Sequence, residues 1–126
     1  MKTAHDLVTA AKAQINEVSL ADAQVAIQNS DVLLDVREAD EYINGHIPGA
    51  IHISRGLLEF KLSNDPDLSA RSLNIVLYCK NSGRAALASK VLDEMGYLHV
   101  QSIAGGFDAW AEAGNPIAKP EEIKFE

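Results

Sequence analysis

Short apolar runs alternate along the chain with segments in which apolar residues recur at helical spacing. Runs of consecutive apolar residues are typical of buried strands. The pattern predicts strands at 17–18, 32–36, 50–53, 73–78 and 99–103. It predicts helices at 3–15, 20–28, 39–43, 54–62, 83–95 and 107–113. Strands that alternate with helices in this way predict an α/β fold, in which helices cover both faces of a central, mostly parallel sheet of about five strands.

Individual residues define the start of one predicted helix and one face of another. Ser19 is a predicted N-cap for the helix at 20–28, because its hydroxyl can accept a hydrogen bond from the first turn. Leu7, Ala11 and Ile15 recur at a helical interval and predict the buried face of the first helix.

The length of the chain indicates one domain. We interpret residues 1–126 as a single domain with a core at about 17–114. The N-terminal helix at 3–15 precedes this core, and a tail at 117–126 is expected on the surface or in part disordered. A hydrophobic fraction of 47% and a charged fraction of 23% are ordinary for a globular domain.

The charge balance narrows the classes of partner. A formal net charge of −7 counts against nucleic acid, whose phosphates need clustered Lys and Arg. The first residues lack the apolar region of a signal peptide, and no apolar run is long enough to span a bilayer. We therefore expect a cytoplasmic protein with no nucleic acid or membrane partner.

Cysteine and histidine usage bears on cross-links and metals. The single cysteine excludes an internal disulfide and fits a reducing compartment. His5, His52 and His99 have no partners at metal-ligand spacing, so we predict no metal site. His46 precedes a Pro-Gly turn, where we expect it to hydrogen-bond to the backbone.

That cysteine, Cys79, lies where the predicted strand at 73–78 gives way to a polar loop and the helix at 83–95. Backbone N–H groups converge at a helix amino terminus and favour an anion. The position therefore predicts a nucleophilic thiolate, helped by the nearby cation Arg84. The alternative is a small buried hydrophobic residue, as most free cysteines are.

Asp35 and Arg37 follow the predicted strand at 32–36. Because parallel sheets bind ligands at the carboxyl ends of their strands, an acid, an arginine and the thiol are expected at one edge of the molecule. A structural role is the simpler interpretation, with Asp35 capping a turn and Arg37 pairing with Glu38 or Glu41. The alternative is that they brace the cysteine loop from behind.

Taken in order along the chain, these motifs resemble the single-domain rhodaneses, a family of sulfurtransferase modules. The motifs are LDVRE at 34–38, EY at 41–42, GHIPGA at 45–50, YCKNSGR at 78–84, MGY at 95–97, GGF at 105–107 and Trp110. The resemblance implies a three-layer α/β fold. It also implies that Cys79 accepts a sulfur atom as a persulfide, with no metal or organic cofactor.

The chemistry of the family assigns roles to the loop. Cys79 would attack the outer sulfur of a sulfane donor such as thiosulfate and pass it to a thiol or cyanide acceptor, with a sulfur-carrier protein as one class of partner. Arg84 would hold the sulfonate end of the donor, and Lys80 would add positive charge. The remaining expected substrate-binding groups are the Ser82 hydroxyl and the amides of Asn81, Ser82 and Gly83. We expect the pocket to be shallow and open.

Two features of the loop leave alternatives open. Family loops often carry glycine where this chain has Ser82, which leaves the finer shape of the loop undetermined. Cysteine phosphatases and arsenate reductases also place a thiolate beside an arginine, but their loops resembling this one have five intervening residues, whereas four separate Cys79 from Arg84. A noncatalytic binding module with the same fold is a further alternative.

Overall fold

A single parallel sheet forms the centre of the protein, in a computed structural model that describes residues 1–120. Its strands are β1 (Glu17–Val18), β2 (Val32–Asp35), β3 (Ile51–His52), β4 (Asn74–Tyr78) and β5 (His99–Ile103). They lie in the order β1-β5-β4-β2-β3, and each neighbouring pair is parallel. The predicted α/β class and five-stranded parallel sheet are confirmed.

Helices lie on both faces of this sheet. They are α1 (Ala4–Lys12), α2 (Leu20–Gln28), α3 (Ala39–Ile43), α4 (Leu58–Asn64), α5 (Gly83–Glu94) and α6 (Gly106–Glu112). Side chains alternate across each strand, so Leu34 and Leu77 join an apolar cluster with α4 and α5, whereas Leu33 and Val76 join a second cluster with α2 and α6. The three-layer architecture that the resemblance implies is confirmed.

The first helix is shorter than predicted, and its buried face is different. Helix α1 ends at Lys12, and Leu7 is exposed while Ala11 is buried. The helix packs against α5, and the chain beyond it is drawn to the sheet, where the Asn16 carbonyl accepts a hydrogen bond from the Ser102 amide. The predicted extension to residue 15 and the predicted burial of Leu7 are therefore wrong.

The segment predicted as a helix at 54–62 is divided. It begins with a 3₁₀ turn at Arg55–Leu57, and α4 follows. The Arg55 amide donates a hydrogen bond to the carbonyl of Val36, just beyond the carboxyl end of β2. The chain is therefore still bonded to the sheet at the point where the α-helix was expected to begin.

Other local predictions agree with the structure. The Ser19 hydroxyl accepts the amide N–H of Asp22 and caps α2, as predicted.

At the other end of the chain, Ala118 pairs with His46 in an isolated antiparallel bridge. The rest of the predicted tail from 121 to 126 lies outside the described residues, and the single-domain organisation stays a prediction. Among the described residues, no helix is long and apolar enough to cross a bilayer.

The strand order reverses direction at one point of the sheet. Strand β3 lies on one side of β2, and β4 lies on the other. In parallel sheets, such a reversal opens a gap at the carboxyl ends of the two diverging strands, and ligands bind there. Here these ends carry Asp35 and Cys79, so the predicted meeting of the two motifs at one sheet edge is observed.

Candidate active site

Cys79 follows β4 directly and is completely buried. Its exposed fraction is 0%, and it belongs to the same apolar cluster as Val36, Leu77 and Ala88. The expected shallow, open pocket is therefore wrong for this conformation, because the thiol is covered. Burial in an apolar cluster alone describes an unreactive core cysteine.

One contact separates Cys79 from an ordinary core cysteine. The backbone N–H of Ala85 donates a hydrogen bond to its Sγ, at 3.3 Å. Ala85 is the third residue of α5, and the amides of a first helical turn have no partner within their own helix. Ser82 occupies the N-cap position, yet its side chain makes no capping bond. The sulfur therefore takes the place of the usual capping oxygen, at the positive end of the α5 dipole.

Ser82 is instead anchored to the first helix. Its hydroxyl accepts a hydrogen bond from the Lys12 ammonium, at 2.7 Å. The φ of Ser82 is −158°, outside the left-handed region that requires glycine. The loop therefore does not require glycine at this position.

The amides that were expected to hold an anion are turned elsewhere. The side-chain oxygen of Asn81 accepts the amide N–H of Ser82 at 2.7 Å and that of Gly83 at 3.5 Å. The amide that reaches the sulfur belongs to Ala85, which the sequence analysis did not single out. Two of the three predicted amide donors are thus occupied within the loop in this conformation.

Both loop cations are paired with carboxylates from outside the loop. Arg84 holds Glu41 of α3 through two hydrogen bonds, of 2.6 and 2.9 Å. Lys80 contacts Asp108 of α6 at 2.7 Å, and both of these side chains are half exposed. The charges that were expected to meet a substrate anion are therefore already neutralised.

Pairing shifts the pKa values of both Arg84 and Glu41. The guanidinium of Arg84 lowers the pKa of Glu41 to about 2, against the weaker opposing effect of burial. Hydrogen bonding to Glu41 in turn raises the pKa of Arg84, and the charge of Cys79 adds a smaller effect in the same direction. Arg84 therefore interacts electrostatically with both Glu41 and Cys79.

Asp35 and Arg37 form a buried pair behind the loop. The Arg37 guanidinium donates to both carboxylate oxygens of Asp35, and it also donates to the carbonyl of Gly45 at 2.7 Å. The predicted pairing of Arg37 with Glu38 or Glu41 is wrong. Asp35 lies only two residues away and is fully buried, so its carboxylate needs a buried cation.

Tyr78 joins this pair to the cysteine strand. Its hydroxyl donates to Asp35 at 2.7 Å and accepts the amide N–H of Ile47 at 3.0 Å. Burial and the adjacent charge of Asp35 raise the pKa of Tyr78, which keeps the hydroxyl protonated as a donor. The residue before Cys79 is thus fixed to β2 and to the turn before β3.

Helix α6 supports the loop from the other side, a role that the sequence analysis did not identify. The amides of Phe107 and Asp108 donate to the carbonyls of Cys79 and Lys80, at 2.8 and 2.9 Å. Gly106 has a φ of +60°, and a Cβ there would lie 2.5 Å from the carbonyl oxygens of Cys79 and Asn81. The signal in the sequence was the Gly-Gly pair before a short helix, which is typical of a close backbone approach.

One histidine contacts this arrangement, since Nε2 of His52 lies 2.7 Å from the carbonyl oxygen of Arg37. Nδ1 of His46 contacts the carbonyl of Ile47 at 2.9 Å, as predicted, and its ring stacks on Tyr42. Within residues 1–120, no group of three or more His, Cys, Asp or Glu side chains is placed to hold a metal ion.

The chain is similar in sequence to known proteins. A family model described as "Rhodanese-like domain" matches residues 19–113. A sulfurtransferase of Allochromatium vinosum is 34% identical over 109 residues, which cover 85% of this chain and 98% of the relative. The chloroplastic thiosulfate sulfurtransferase 16 of Arabidopsis thaliana is 36% identical over 93 residues, which cover 66% of this chain and 76% of the relative.

A solved structure extends the likeness to the whole fold. It is a Rhodopseudomonas palustris protein of unknown function, described as a possible tyrosine phosphatase. The two chains are 31% identical with a TM-score of 0.86, and the match covers 94% of this chain and 96% of the other.

Proposed function

The chain belongs to the rhodanese-like domain family, and from this premise we propose that it is a sulfurtransferase that carries sulfur on Cys79. The observation that supports the proposal most strongly is the hydrogen bond from the Ala85 amide to the sulfur of Cys79. The relatives named above support sulfur transfer as the general activity.

In the first step, the Cys79 thiolate attacks the outer sulfur of a sulfane donor such as thiosulfate. A sulfur–sulfur bond forms to Cys79, and the bond between the two donor sulfurs breaks. Sulfite leaves with that electron pair, and Cys79 becomes a persulfide anion. The Ala85 amide and Arg84 stabilise negative charge at the sulfur throughout this step.

In the second step, an acceptor thiolate or cyanide attacks the outer sulfur of the persulfide. The acceptor leaves as a persulfide or as thiocyanate, and the Cys79 thiolate is restored. A small thiol and a sulfur-carrier protein both fit this chemistry as acceptors. Asp35 and Arg37 act as positioning residues in this scheme, because through Tyr78 they hold the strand that carries Cys79.

Because Cys79 has no exposed surface, either step requires the loop to open. Two polar contacts that anchor the loop are exposed, the Lys12–Ser82 hydrogen bond and the Lys80–Asp108 ion pair. Exposed contacts of this kind contribute about 1 kcal/mol or less each. They are therefore the contacts of the loop that break at the smallest cost, in contrast to the buried Asp35–Arg37 pair.

Intact-mass spectrometry after exposure to thiosulfate and other sulfane donors tests the proposal. Cys79 is the only cysteine, so a gain of one sulfur atom reports on this position alone. The proposal predicts that gain in the unmodified protein and its loss in Cys79→Ser. A folded protein that gains no sulfur from any donor would instead be a noncatalytic binding module.

An aryl phosphate distinguishes sulfur transfer from the phosphatase alternative. Four residues separate Cys79 from Arg84, and Arg84 is held by Glu41, so the loop offers little room for a phosphoryl group. We expect no hydrolysis that depends on Cys79. Efficient hydrolysis, abolished in Cys79→Ser, would favour the phosphatase instead. Residence in the cytoplasm remains a prediction, since one relative is named as chloroplastic.

A further inference from the structure

Each cation of the cysteine loop faces a carboxylate that the loop itself does not supply. Glu41 comes from α3 and Asp108 from α6, and they contact Arg84 and Lys80. These four side chains together carry no net formal charge. Pairing of both loop cations therefore lowers the positive charge that a doubly charged anion would meet, and leaves the Lys12 ammonium on Ser82 outside these pairs.

From this arrangement we infer that Glu41 selects the donor, disfavouring dianions such as thiosulfate and favouring donors with an uncharged group next to the transferable sulfur, such as alkyl hydropersulfides. The inference rests on the proposed function, because it concerns sulfur that is loaded onto Cys79. Asp108 contributes to the same selection through Lys80.

The geometry makes Glu41 a strong competitor for Arg84. A planar guanidinium binds a carboxylate and a sulfonate in the same two-pronged manner, so both cannot occupy the same edge of Arg84. Glu41 already holds the Nη1 and Nη2 groups at 2.6 and 2.9 Å, and this pair is only one-quarter to one-third exposed. A sulfonate would have to displace this carboxylate from the Nη1–Nη2 edge or bind the Nε side of the guanidinium in competition with its charge.

Glu41 is also held in position by its own helix. One of its oxygens accepts the amide N–H of Glu38 at 3.1 Å and so caps the start of α3. The Glu41 carboxylate is therefore held in place by α3 as well as by Arg84, which makes it a preorganised partner for the guanidinium.

An alkyl hydropersulfide avoids this competition. The Cys79 thiolate attacks its outer sulfur, the sulfur–sulfur bond of the donor breaks, and an alkyl thiolate leaves with the electron pair. The proton stays on the transferred sulfur, so Cys79 becomes a hydropersulfide. This donor has no sulfonate next to the transferred sulfur, so it does not compete with Glu41 for Arg84. The Arg84–Glu41 pair can stay intact while the sulfur is transferred.

The test compares the rate at which Cys79 is loaded by two donors, thiosulfate and the hydropersulfide of mercaptoethanol, each followed by intact mass. We expect Glu41→Gln to raise the ratio of the thiosulfate rate to the hydropersulfide rate about tenfold, since it frees one charge-assisted bidentate partner. Glutamine can still accept the Glu38 amide, so α3 should keep its cap.

Two further variants sharpen the comparison. Asp40→Asn removes the same charge from an exposed position of the same helix and should leave the ratio unchanged. Asp108→Asn should raise the ratio about twofold, because its partner Lys80 is well exposed. Thermal melting shows that each variant is folded.

The outcomes separate the inference from the proposed function. A ratio in Glu41→Gln that stays within about twofold of the unmodified protein, or a change matched by Asp40→Asn, would overturn the inference while sulfur loading stands. Equal acceleration with both donors would also overturn it, since Glu41 would then control opening and not donor choice. No loading from either donor would overturn both.

Discussion

Glu41 links the stability of the protein to its site, because its carboxylate is ionised well below the ordinary range. Its pKa is lowered from the usual 4.5 to about 2 by hydrogen bonding to Arg84. A lowered pKa in the folded state means that stabilisation is present above pH 4.5 and disappears as the pH falls towards 2.

Glu41→Gln should therefore be less stable than the unmodified protein at neutral pH, by about 1 kcal/mol for a partly exposed pair. The difference should shrink to nearly nothing as the pH falls towards 2. Urea unfolding at a series of pH values measures this quantity. If the difference in the free energy of unfolding stays constant across the acidic range, Arg84 does not lower the pKa of Glu41.

Gly106 is the residue whose lack of a side chain the loop requires most directly. In Gly106→Ala, the new Cβ would meet the backbone oxygens of Cys79 and Asn81 at 2.5 Å, in a left-handed backbone conformation. We expect a loss of about 3 kcal/mol in the free energy of unfolding and a displaced loop.

The matched control for this substitution lies at the other end of α6. Gly114 also has a positive φ, of +79°, but a Cβ there meets nothing within 4 Å. Gly114→Ala should cost only about 1 kcal/mol, for backbone conformation alone. Equal losses in the two variants, measured by urea unfolding, would show that the loop does not depend on close contact with Gly106.

At the scale of elements, Tyr78 joins β4 to β2 and to the turn before β3. Tyr78→Phe removes the hydroxyl and leaves a buried carboxylate oxygen of Asp35 and the amide of Ile47 without that partner. We expect a loss of about 2 to 3 kcal/mol in the free energy of unfolding and slower sulfur loading.

Tyr97→Phe serves as the control for Tyr78→Phe. Its hydroxyl is also bonded, to the carbonyl of Leu68, but it lies away from the cysteine loop. It should lower stability by about 1 kcal/mol without changing the loading rate per folded molecule. If Tyr78→Phe slows loading no more than Tyr97→Phe does, Tyr78 has no positioning role.

Most elements could be predicted because their signals are local. The apolar runs identified β4 and β5, and capping by Ser19 fixed the start of α2. The errors arose where a distant partner decides the outcome. Leu7 is exposed because of how α1 packs on α5, and Arg55 starts a 3₁₀ turn because its amide bonds to the chain next to β2.

The same distinction applies to the site. Cys79 could be proposed as the nucleophile from its position between a strand and a helix, and Arg84 from its distance along the loop. The partners Glu41, Lys12 and Asp108 could not be identified, because they lie on three different helices that meet only in the folded chain. Sequence spacing does not encode such contacts.

At the scale of the whole molecule, the net charge of −7 opposes the approach of an anionic donor. Added sodium chloride screens this repulsion, so the rate of loading by thiosulfate should rise about two- to fivefold as the ionic strength increases towards 0.3 M. The hydropersulfide, which carries at most one negative charge, provides the control, and its rate should rise less than that of the thiosulfate dianion. A thiosulfate rate that falls with salt would indicate attraction by a local positive field.

The most direct measurement follows one labelled sulfur atom through a single turnover. The protein is loaded with a sulfane donor isotopically labelled in its transferable sulfur, freed of excess donor, and then given an acceptor thiol. Sulfur transfer predicts one labelled atom on the peptide that contains Cys79, followed by its appearance on the acceptor and the return of the free thiol. A folded protein whose Cys79 takes up no label, or keeps it in the presence of acceptors, would contradict this function.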